Sequence, residues 1–322
     1  MPGEPADVVM FGPKPIIEEA LTKAGLRLHK AWAAPDQDAF IASIAAKVRA
    51  IAAVAGHGPV DGTLMRRFPR LEIVSSFGVG YDHIDAKWAG QHGVVVTNTP
   101  DVLNEEVADT ALGLLLSTVR QLPQAERYLR AGNWPKHGDY QLTPSLRDRT
   151  AGIVGMGRIG KAIARRLDAM QVPVVYHTRR PTDVPYRHYP NLVDMARDAD
   201  VLIVITPGGA ATKNLVNAAV LKALGPNGIL INVARGSVVD EAALVKALKD
   251  KTILSAGLDV FVDEPNVPAE LMAMENVVLL PHVGSASEPT RRAMDTLVAD
   301  NIIAWFAGKG PLTPVPETPV KK

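Results

Sequence analysis

The chain of 322 residues contains no cysteine. This absence excludes disulfide bridges, thiolate nucleophiles and zinc sites that use cysteine ligands. An excess of charge of one sign is also lacking, since 35 lysine and arginine residues stand against 34 acidic residues. The chain therefore offers no strong field that would attract nucleic acid or an anionic membrane surface. The longest apolar runs, such as Val201–Ile205, have the length of a strand and are too short to span a bilayer.

The start of the chain, Met1–Pro5, lacks the basic region and apolar core of a secretion signal. Together with the missing cysteine, this predicts a cytoplasmic protein in a reducing compartment. Hydrophobic residues make up 47% of the chain, and its length suffices for two domains with cores of their own.

Short apolar runs alternate with helical patterns along two stretches of the chain. Such alternation is typical of βαβ units and predicts parallel sheets covered on both faces. The strands predicted in the first stretch are Val8–Phe11, Leu26–Trp32, Ala50–Ala55, Glu72–Ser76 and Gly93–Thr97. Those predicted in the second stretch are Thr150–Val154, Pro173–His177, Val201–Thr206, Gly228–Asn232, Ile253–Gly257 and Val277–Leu280.

Four further segments complete the predicted organisation. A long helix is predicted over Val102–Arg120, because apolar residues cover much of its surface. The stretch Gln121–Arg149, interrupted by glycine and proline, is expected to form an irregular arm. A last amphipathic helix is predicted over Glu288–Phe306. The tail from Gly308, rich in proline and lysine, is expected to be disordered.

The most informative motif is the turn Gly155-Met156-Gly157-Arg158-Ile159-Gly160, which follows a predicted strand and precedes a helical pattern. In that context it is the fingerprint of a dinucleotide-binding βαβ unit. Gly155 permits the tight turn, Gly157 lets a pyrophosphate approach the backbone, and Gly160 lets the helix pack on the strand. The N-terminus of the helix then faces the phosphates.

The end of the next predicted strand indicates which dinucleotide to expect. NAD-binding units place an acidic residue there to hold the ribose 2′-hydroxyl, whereas this chain has Thr178-Arg179-Arg180. Two guanidinium groups suit a 2′-phosphate, so the sequence predicts NADP(H) as the cofactor. The alternative is that both arginines are simply solvated at the end of the strand.

Because the glycine turn lies in the middle of the chain, the cofactor unit is expected to be inserted into the first unit. The predicted fold is α/β, with a Rossmann cofactor domain inserted into a flavodoxin-like substrate domain, both of them doubly wound around parallel sheets. The substrate-binding domain is expected to comprise residues 1–98 and 285–322. The NADP-binding domain is expected to span residues 99–284, including the long helix and the arm at residues 102–149.

Polar residues gather at the carboxyl ends of the strands in the second stretch, where open α/β sheets bind their ligands. A cation, a carboxylate and an imidazole beside a nicotinamide suit the reduction of a carbonyl on an anionic substrate. Arg235 can bind the carboxylate and polarise the adjacent carbonyl. His282 can donate the proton to the carbonyl oxygen, and Glu264 can hydrogen-bond the other imidazole nitrogen. No His or Glu pair has metal-ligand spacing on one helix, so no metal site is expected.

Each of these three residues also has a purely structural interpretation. Arg235 can be an ordinary surface arginine, and His282, which follows a proline, can be a loop histidine with a structural hydrogen bond. Glu264 precedes Pro265, and an acidic residue before proline is common in turns.

Five motifs together resemble the D-2-hydroxyacid dehydrogenase family, and within it the glyoxylate/hydroxypyruvate reductases. They are Ser75-Ser76-Phe77-Gly78-Val79-Gly80-Tyr81-Asp82-His83-Ile84-Asp85, the glycine turn at 155–160, Asn232-Val233-Ala234-Arg235-Gly236, Gly257-Leu258-Asp259-Val260-Phe261 through Glu264-Pro265, and Leu280-Pro281-His282-Val283-Gly284-Ser285-Ala286. The resemblance covers nearly the whole chain, from Val8 to Phe306.

The resemblance implies roles for particular residues. The catalytic set is Arg235, Glu264 and His282; the backbone amides of Val79 and Gly80 bind the substrate carboxylate. Arg235 and Ser285 line the substrate site, and Trp134 reaches the pocket of a neighbouring subunit. The residues expected to contact the cofactor are Gly155, Met156, Gly157, Arg158, Ile159, Gly160, Arg179, Arg180, Thr206, Pro207, Val233, Ala234, Asp259 and Gly284.

The family is typically dimeric, so a homodimer is expected, with the helix from Val102 and the arm after Gln121 at the interface. The favoured function is NADPH-dependent reduction of small 2-oxo acids, glyoxylate and hydroxypyruvate, to D-2-hydroxy acids. The alternative is a cofactor-sensing, corepressor-like binding protein, because the family includes corepressors that keep the dehydrogenase fold. Only a short tail extends beyond the dehydrogenase core as a docking segment, which favours the enzyme.

Overall fold

The computed structural model describes residues 5–54 and 58–319. The chain divides into two compact units. The first comprises the residues up to Leu103 together with those from Ser287 onward, and the second is Asn104–Ala286. Most of the Met1–Pro5 segment, on which the predicted absence of a secretion signal rests, lies outside the described residues, as does Ala55.

The helices and strands alternate along most of the chain. In chain order they are β1 (Asp7–Met10), α1 (Pro15–Lys23), β2 (Arg27–Lys30), α2 (Gln37–Ile44), β3 (Val48–Val54), α3 (Gly62–Arg66), β4 (Ile73–Phe77), α4 (Ala86–Gln91), β5 (Val95–Thr97), α5 (Asn104–Arg120), α6 (Leu122–Arg130), α7 (Trp134–His137), β6 (Ala151–Val154), α8 (Arg158–Ala169), β7 (Val174–His177), β8 (Arg187–Tyr189), α9 (Leu192–Asp198), β9 (Val201–Val204), α10 (Ala218–Leu224), β10 (Ile229–Asn232), α11 (Glu241–Lys249), β11 (Ser255–Leu258), α12 (Ala269–Met272), β12 (Val277–Leu279) and α13 (Glu288–Phe306). Among the described residues, no helix combines the length and the apolar character that crossing a membrane would take.

The first unit is built on a five-stranded sheet of order β2-β1-β3-β4-β5, in which every pair is parallel. This is the strand order of flavodoxin-like folds. The strand β4 is buried at every position, as expected for a strand that is covered on both faces. The hydroxyl of Ser75 on β4 donates to the carbonyl of Val298 on α13 at 3.0 Å, so the last long helix of the chain packs on the first sheet.

The second unit is built on a seven-stranded parallel sheet of order β12-β11-β10-β9-β6-β7-β8. Starting from β6, the chain winds outward through β7 and β8, then returns to the other side of β6 with β9. This reversal is the topological switch point of a Rossmann sheet, where ligands bind outside the carboxyl ends of the strands. The predicted fold class, with two doubly wound parallel sheets and an inserted Rossmann unit, is confirmed.

Two local predictions are wrong, and one strand was not predicted. The segment after Arg120 is not irregular throughout, because it contains the helices α6 and α7. The strand β8 was not predicted, because two of its three residues, Arg187 and His188, are polar and the segment carries little apolar periodicity. The tail is ordered as far as residue 319: the amide of Val315 donates to the carbonyl of Val96 on β5 at 2.9 Å.

The order of the tail has a plain physical cause. Val315 and Thr318 are buried, and the Thr318 hydroxyl accepts from the amide of Val96 at 2.9 Å. The tail therefore covers the edge strand β5, and its hydrogen bonds replace those that another strand would make. Composition alone does not reveal this docking, because prolines suit an edge segment as well as a disordered one.

Candidate functional site

The glycine turn lies between β6 and α8, at the switch point of the second sheet. A Cβ atom on Gly155, which has a φ of +109°, would come within 2.8 Å of the carbonyl oxygen of Ile205. A Cβ atom on Gly160 would come within 2.1 Å of the Gly155 carbonyl. Both positions therefore require glycine, the first for its backbone conformation and both for close packing.

Gly157 is different, since a Cβ atom there would meet no atom within 4 Å. This position opens outward at the N-cap of α8, where no side chain caps the helix and no acidic residue occupies the first turn. Free space beside uncapped amides and the positive end of a twelve-residue helix fits a pyrophosphate. The turn therefore has the form required to hold a dinucleotide, and it also contains buried Met156, half-buried Ile159 and exposed Arg158.

Thr206 and Pro207 follow β9, the strand that neighbours β6 across the switch point. The Pro207 carbonyl accepts from the hydroxyl of Thr212 at 2.6 Å, which fixes the direction of the loop. On the other side of β6, Arg179 and Arg180 are exposed directly after β7. The predicted cofactor residues thus follow three adjacent strands at one edge of the sheet.

Arg235 lies at the end of the loop that follows β10. The side chain of Asn232 organises this loop, since its Oδ1 accepts from the Ala234 amide at 3.1 Å and its Nδ2 donates to the Arg235 carbonyl at 3.1 Å. The guanidinium Nη1 of Arg235 donates to the Ala234 carbonyl at 2.8 Å. Val233 and Ala234 are buried beneath it, and Arg235 is half-buried.

Glycine at position 236 lets this loop touch the next one. A Cβ atom on Gly236 would come within 1.9 Å of the backbone carbon of Phe261. This contact places the loop after β10 against the segment that carries Glu264, so the adjoining strands β10 and β11 bring the two candidate residues to one edge.

Glu264 and His282 form a direct pair. The Nδ1 atom of His282 lies 2.6 Å from Oε2 of Glu264, and the other carboxylate oxygen accepts from the Phe261 amide at 3.0 Å. Burial raises the pKa of Glu264, but the hydrogen bonds from His282 and Phe261 and the charge of Arg235 outweigh burial, so the pKa lies below its usual value of 4.5. The carboxylate is therefore held in its charged form beside the imidazole.

Asp259 has a structural function that the sequence did not indicate. Its side chain is buried, and its two carboxylate oxygens accept from the amides of Val283 and Gly284 at 2.7 and 2.8 Å. Its own carbonyl accepts from the His282 amide at 2.9 Å. Burial raises the pKa of Asp259, although the two amide hydrogen bonds act in the opposite direction.

These bonds hold an unusual backbone at the proton-donor candidate. His282 has a φ of +54°, in the left-handed region that residues other than glycine seldom adopt. Asp259 accepts from the amides of three consecutive residues, His282, Val283 and Gly284. A Cβ atom on Gly284 would approach Oδ2 of Asp259 to 2.9 Å. Ser285 follows, half-buried. The contact of Asp259 and Gly284 with a cofactor stays a prediction.

Val79 and Gly80 belong to the first unit, in the loop directly after β4. The loop is held by two residues that the sequence did not single out. The Thr99 hydroxyl accepts from the Gly78 amide at 3.1 Å, and Asn98 Nδ2 donates to the Val79 carbonyl at 2.9 Å. Gly78 has a φ of +143°, which only glycine adopts readily. Substrate binding by the Val79 and Gly80 amides stays a prediction.

Trp134 begins α7 in the arm and is 57% exposed. Its indole Nε1 donates to Asp139 at 3.1 Å, and its ring lines a shallow pocket beside Tyr128 and Tyr140. Nothing in the described chain places Trp134 with Arg235, Glu264 or His282, so its role at a neighbouring subunit stays a prediction. Among the described residues, no group of three or more His, Asp or Glu side chains is arranged to hold a metal ion.

Comparisons with known proteins agree on one family. A family model described as D-isomer specific 2-hydroxyacid dehydrogenase, NAD binding domain, matches residues 112–284. A glyoxylate/hydroxypyruvate reductase of Arabidopsis thaliana is 44% identical over 97% of this chain and 99% of its own length. A hydroxyphenylpyruvate reductase of Plectranthus scutellarioides is also 44% identical, over 93% of this chain and 95% of its own length.

A solved structure gives the same result. The NADPH-dependent glyoxylate/hydroxypyruvate reductase of Sinorhizobium meliloti, in complex with NADP and malonate, superposes with a TM-score of 0.92. It is 51% identical, and the match covers 99% of both chains. These relatives are all reductases, and none of them supports the corepressor alternative.

Proposed function

The chain belongs to the D-isomer specific 2-hydroxyacid dehydrogenase family, and from this membership we propose that it reduces small 2-oxo acids with NADPH to the D-2-hydroxy acids. The observation that carries the proposal is the 2.6 Å pair of His282 and Glu264. It stands at the edge of the sheet that also carries the glycine turn and Arg235.

The pair assigns the proton donor. Since Nδ1 of His282 is bonded to Glu264, Nε2 is the ring nitrogen left to donate a proton to a substrate oxygen. The charged Glu264 carboxylate stabilises the protonated imidazole before the reaction and orients its ring. The turn built by Asp259 sets the position from which the ring reaches the substrate.

Arg235 binds the substrate. A guanidinium group can pair with the carboxylate of a 2-oxo acid and also polarise the adjacent carbonyl, where negative charge develops during reduction. We assign the amides of Val79 and Gly80 to the same carboxylate and Ser285 to the lining of the site. When bound, NADPH supplies the hydride that goes to the carbonyl carbon, while the proton from His282 goes to the carbonyl oxygen. The product is the 2-hydroxy acid.

We assign NADP(H) rather than NAD(H) from Arg179 and Arg180. Both are exposed where NAD enzymes carry an acidic residue, and the Sinorhizobium meliloti relative is NADPH-dependent. Gly155, Gly157 and Gly160 hold the pyrophosphate in this assignment. Within the second unit, Thr206, Pro207, Val233 and Ala234 face the rest of the cofactor.

Glyoxylate and hydroxypyruvate are the proposed substrates. They are named for the Arabidopsis thaliana relative, whereas the Plectranthus scutellarioides relative, equally similar in identity, is named for an aromatic 2-oxo acid. We further propose that the protein acts as a cytoplasmic homodimer joined through α5 and the arm, with Trp134 contributing to the partner's pocket.

Initial rates of the purified protein test the proposal. We expect NADPH oxidation with glyoxylate and hydroxypyruvate and a clear preference for NADPH over NADH, and hydroxyphenylpyruvate belongs in the same panel as the substrate of the second relative. The double variant Arg179→Gln/Arg180→Gln removes charge-assisted hydrogen bonds worth roughly 1.5–3 kcal/mol each. Its KM for NADPH should therefore rise by about tenfold or more, whereas its KM for NADH should change little.

The matched control is Arg66→Gln/Arg70→Gln, which removes two exposed arginines of the first unit. It should retain the cofactor preference of the wild type. Absence of turnover with every 2-oxo acid tested would refute the enzyme assignment. A double variant at 179 and 180 that still prefers NADPH would refute the assignment of these two arginines to the 2′-phosphate and leave the enzyme assignment untouched.

A further inference from the structure

The segment that carries Arg179 and Arg180 is held by hydrogen bonds that the proposed reaction does not use. Tyr176, on β7, is 1% exposed. Its hydroxyl donates to the carbonyl of Thr182 at 3.1 Å and accepts from the amide of Thr182 at 3.0 Å. A single buried hydroxyl therefore closes the loop of residues 177–181 against the strand from which it leaves.

A second side chain holds the beginning of the same loop. His188, on β8, lies opposite Tyr176 in the sheet register, with the ring centroids 5.1 Å apart. Its Nε2 lies 2.9 Å from the carbonyl oxygen of Thr178, and since a carbonyl only accepts, Nε2 is the donor. The hydroxyl of Thr178 in turn donates to the carbonyl of Arg180 at 2.6 Å.

These bonds fix the backbone on both sides of Arg179 and Arg180, while the two arginine side chains are exposed. The hydroxyl of Tyr176 makes both of these hydrogen bonds with the loop backbone, at Thr182. Fixing a loop before binding lowers the entropic cost of binding its ligand. A ligand that binds Arg179 and Arg180 therefore binds at a lower entropic cost.

We propose that Tyr176 and His188 are positioning residues for NADP(H) selectivity: they hold the backbone of Thr178–Thr182 so that Arg179 and Arg180 are presented to the 2′-phosphate. The inference rests on the proposed use of NADPH. It extends the specificity site from the two arginines to the sheet beneath them and gives His188 on β8 a role in that site.

The variant Tyr176→Phe keeps the ring and removes both hydrogen bonds. We expect the KM for NADPH to rise about tenfold, the scale of one or two ordinary hydrogen bonds, and the Kd for NADPH, measured by fluorescence titration in the absence of a 2-oxo acid, to rise with it. The KM for NADH and the kcat with saturating NADPH should change by no more than about twofold, because neither depends on the 2′-phosphate contact. The matched control is Tyr186→Phe, a tyrosine nearby in the chain whose hydroxyl donates to Asp168 and not to the loop.

A double-mutant cycle separates positioning from a general structural effect. In the Arg179→Gln/Arg180→Gln background, Tyr176→Phe should leave the KM for NADPH unchanged, since the groups that it positions are gone. An equal rise of KM for NADPH and NADH, or an effect of Tyr176→Phe that persists undiminished in this background, would overturn the proposal.

His188 provides an independent test should Tyr176→Phe fold poorly. His188→Leu removes the donor to Thr178 and should raise the KM for NADPH selectively. His188→Gln retains an N–H donor and should restore most of the affinity. Identical kinetics of the two variants would count against the proposal. If the wild type itself shows no preference for NADPH, the proposed cofactor fails, and this outcome is separate from any result obtained with Tyr176 or His188.

Discussion

At the scale of single residues, the hydrogen bond between His282 and Glu264 makes a prediction about pH. Reduction requires a protonated His282, and Glu264→Gln removes the charge that stabilises this form while it keeps the size of the side chain. The pH at which the rate of 2-oxo acid reduction falls by half should therefore move to lower pH in the variant. Initial rates in a series of buffers from about pH 5 to about pH 8 measure the shift.

Asp263→Asn is the control for that experiment, because Asp263 is exposed beside Glu264 and pairs with Asn266 instead of His282. Its pH profile should coincide with that of the wild type. Superimposable profiles of the wild type and Glu264→Gln would show that Glu264 is not coupled to the proton donor.

The same variant has a consequence for stability. The pKa of Glu264 is lower in the folded protein than its ordinary value of 4.5, so the unfolded state binds more protons over the range between the two values. The stabilisation is fully present above pH 4.5 and is lost as the pH falls through the folded pKa. Urea unfolding should accordingly show that the wild type exceeds Glu264→Gln in free energy of unfolding at pH 7, and that the difference narrows as the pH falls below 4.5.

How much of the site could be predicted from the sequence depends on the type of residue. Arg235, Glu264 and His282 were identified as candidates because few side chains carry charge or protons at strand ends. The hydrogen bonds from Asp259 to the turn at His282 could not be predicted. They depend on a left-handed backbone conformation at His282, which the residue type does not indicate. The hydrogen bonds between Tyr176 and Thr182 could not be predicted either, because tyrosine is common in strands whatever its hydroxyl contacts.

At the scale of the element, the turn at residues 281–284 is defined by one buried carboxylate. Asp259→Asn would leave one oxygen acceptor and place an NH₂ group against one of the two amides of Val283 and Gly284. An unsatisfied buried polar group costs about 1–3 kcal/mol, and we expect that loss in the free energy of unfolding. Because the turn positions His282, kcat should fall about tenfold or more as well.

The neighbouring loop offers the comparison for this prediction. Asp240 caps α11 in the same sheet unit, its Oδ1 accepting from the Ala243 amide at 3.0 Å. Asp240→Asn should cost little stability, since asparagine also caps helices well, and kcat should be retained. Equal kcat values for Asp259→Asn and the wild type would show that the turn does not position the proton donor.

Prediction of elements succeeded for long helices and failed where tertiary contacts decide. The helix predicted over Glu288–Phe306 has those bounds in the structure, and its start is fixed by Ser287, whose hydroxyl accepts from the Thr290 amide. The arm was predicted as irregular because it contains Gly132, Pro135 and Gly138, which suggest breaks. In the structure Pro135 stands in the first turn of α7, where proline is tolerated.

At the scale of the whole molecule, the position of one motif carried most of the fold prediction. A glycine turn in the middle of the chain places a complete Rossmann unit after a first α/β unit. The helix that follows the Rossmann unit, α13, returns to the first unit and packs on its sheet, where the Ser75 hydroxyl donates to the Val298 carbonyl. The docking of the tail on β5 could not be predicted in this way, because it rests on single hydrogen bonds such as that between Val315 and Val96.

The arm makes the last prediction, which concerns the predicted homodimer. The arm is folded on itself, with the Tyr128 and Tyr140 rings 5.4 Å apart and the Tyr140 hydroxyl donating to Gln121 at 2.9 Å. Yet it leaves several large apolar side chains in water. They are Leu122, Leu129, Trp134 and Leu142, of which Leu142 is 100% exposed.

Exposed apolar side chains concentrated in one ordered segment indicate a surface for a partner. In a two-fold dimer the same side chains of both protomers would be buried at one interface. Burial of one leucine contributes roughly 1.5–3 kcal/mol, so Leu129→Glu/Leu142→Glu should dissociate the dimer. Light scattering at micromolar concentration should give twice the chain mass of 34.4 kDa for the wild type and a single mass for this variant. Met272→Glu, which changes an exposed methionine outside the arm, should remain dimeric. A monomeric wild type would refute the dimer, and a double variant as dimeric as Met272→Glu would place the interface elsewhere than on these leucines.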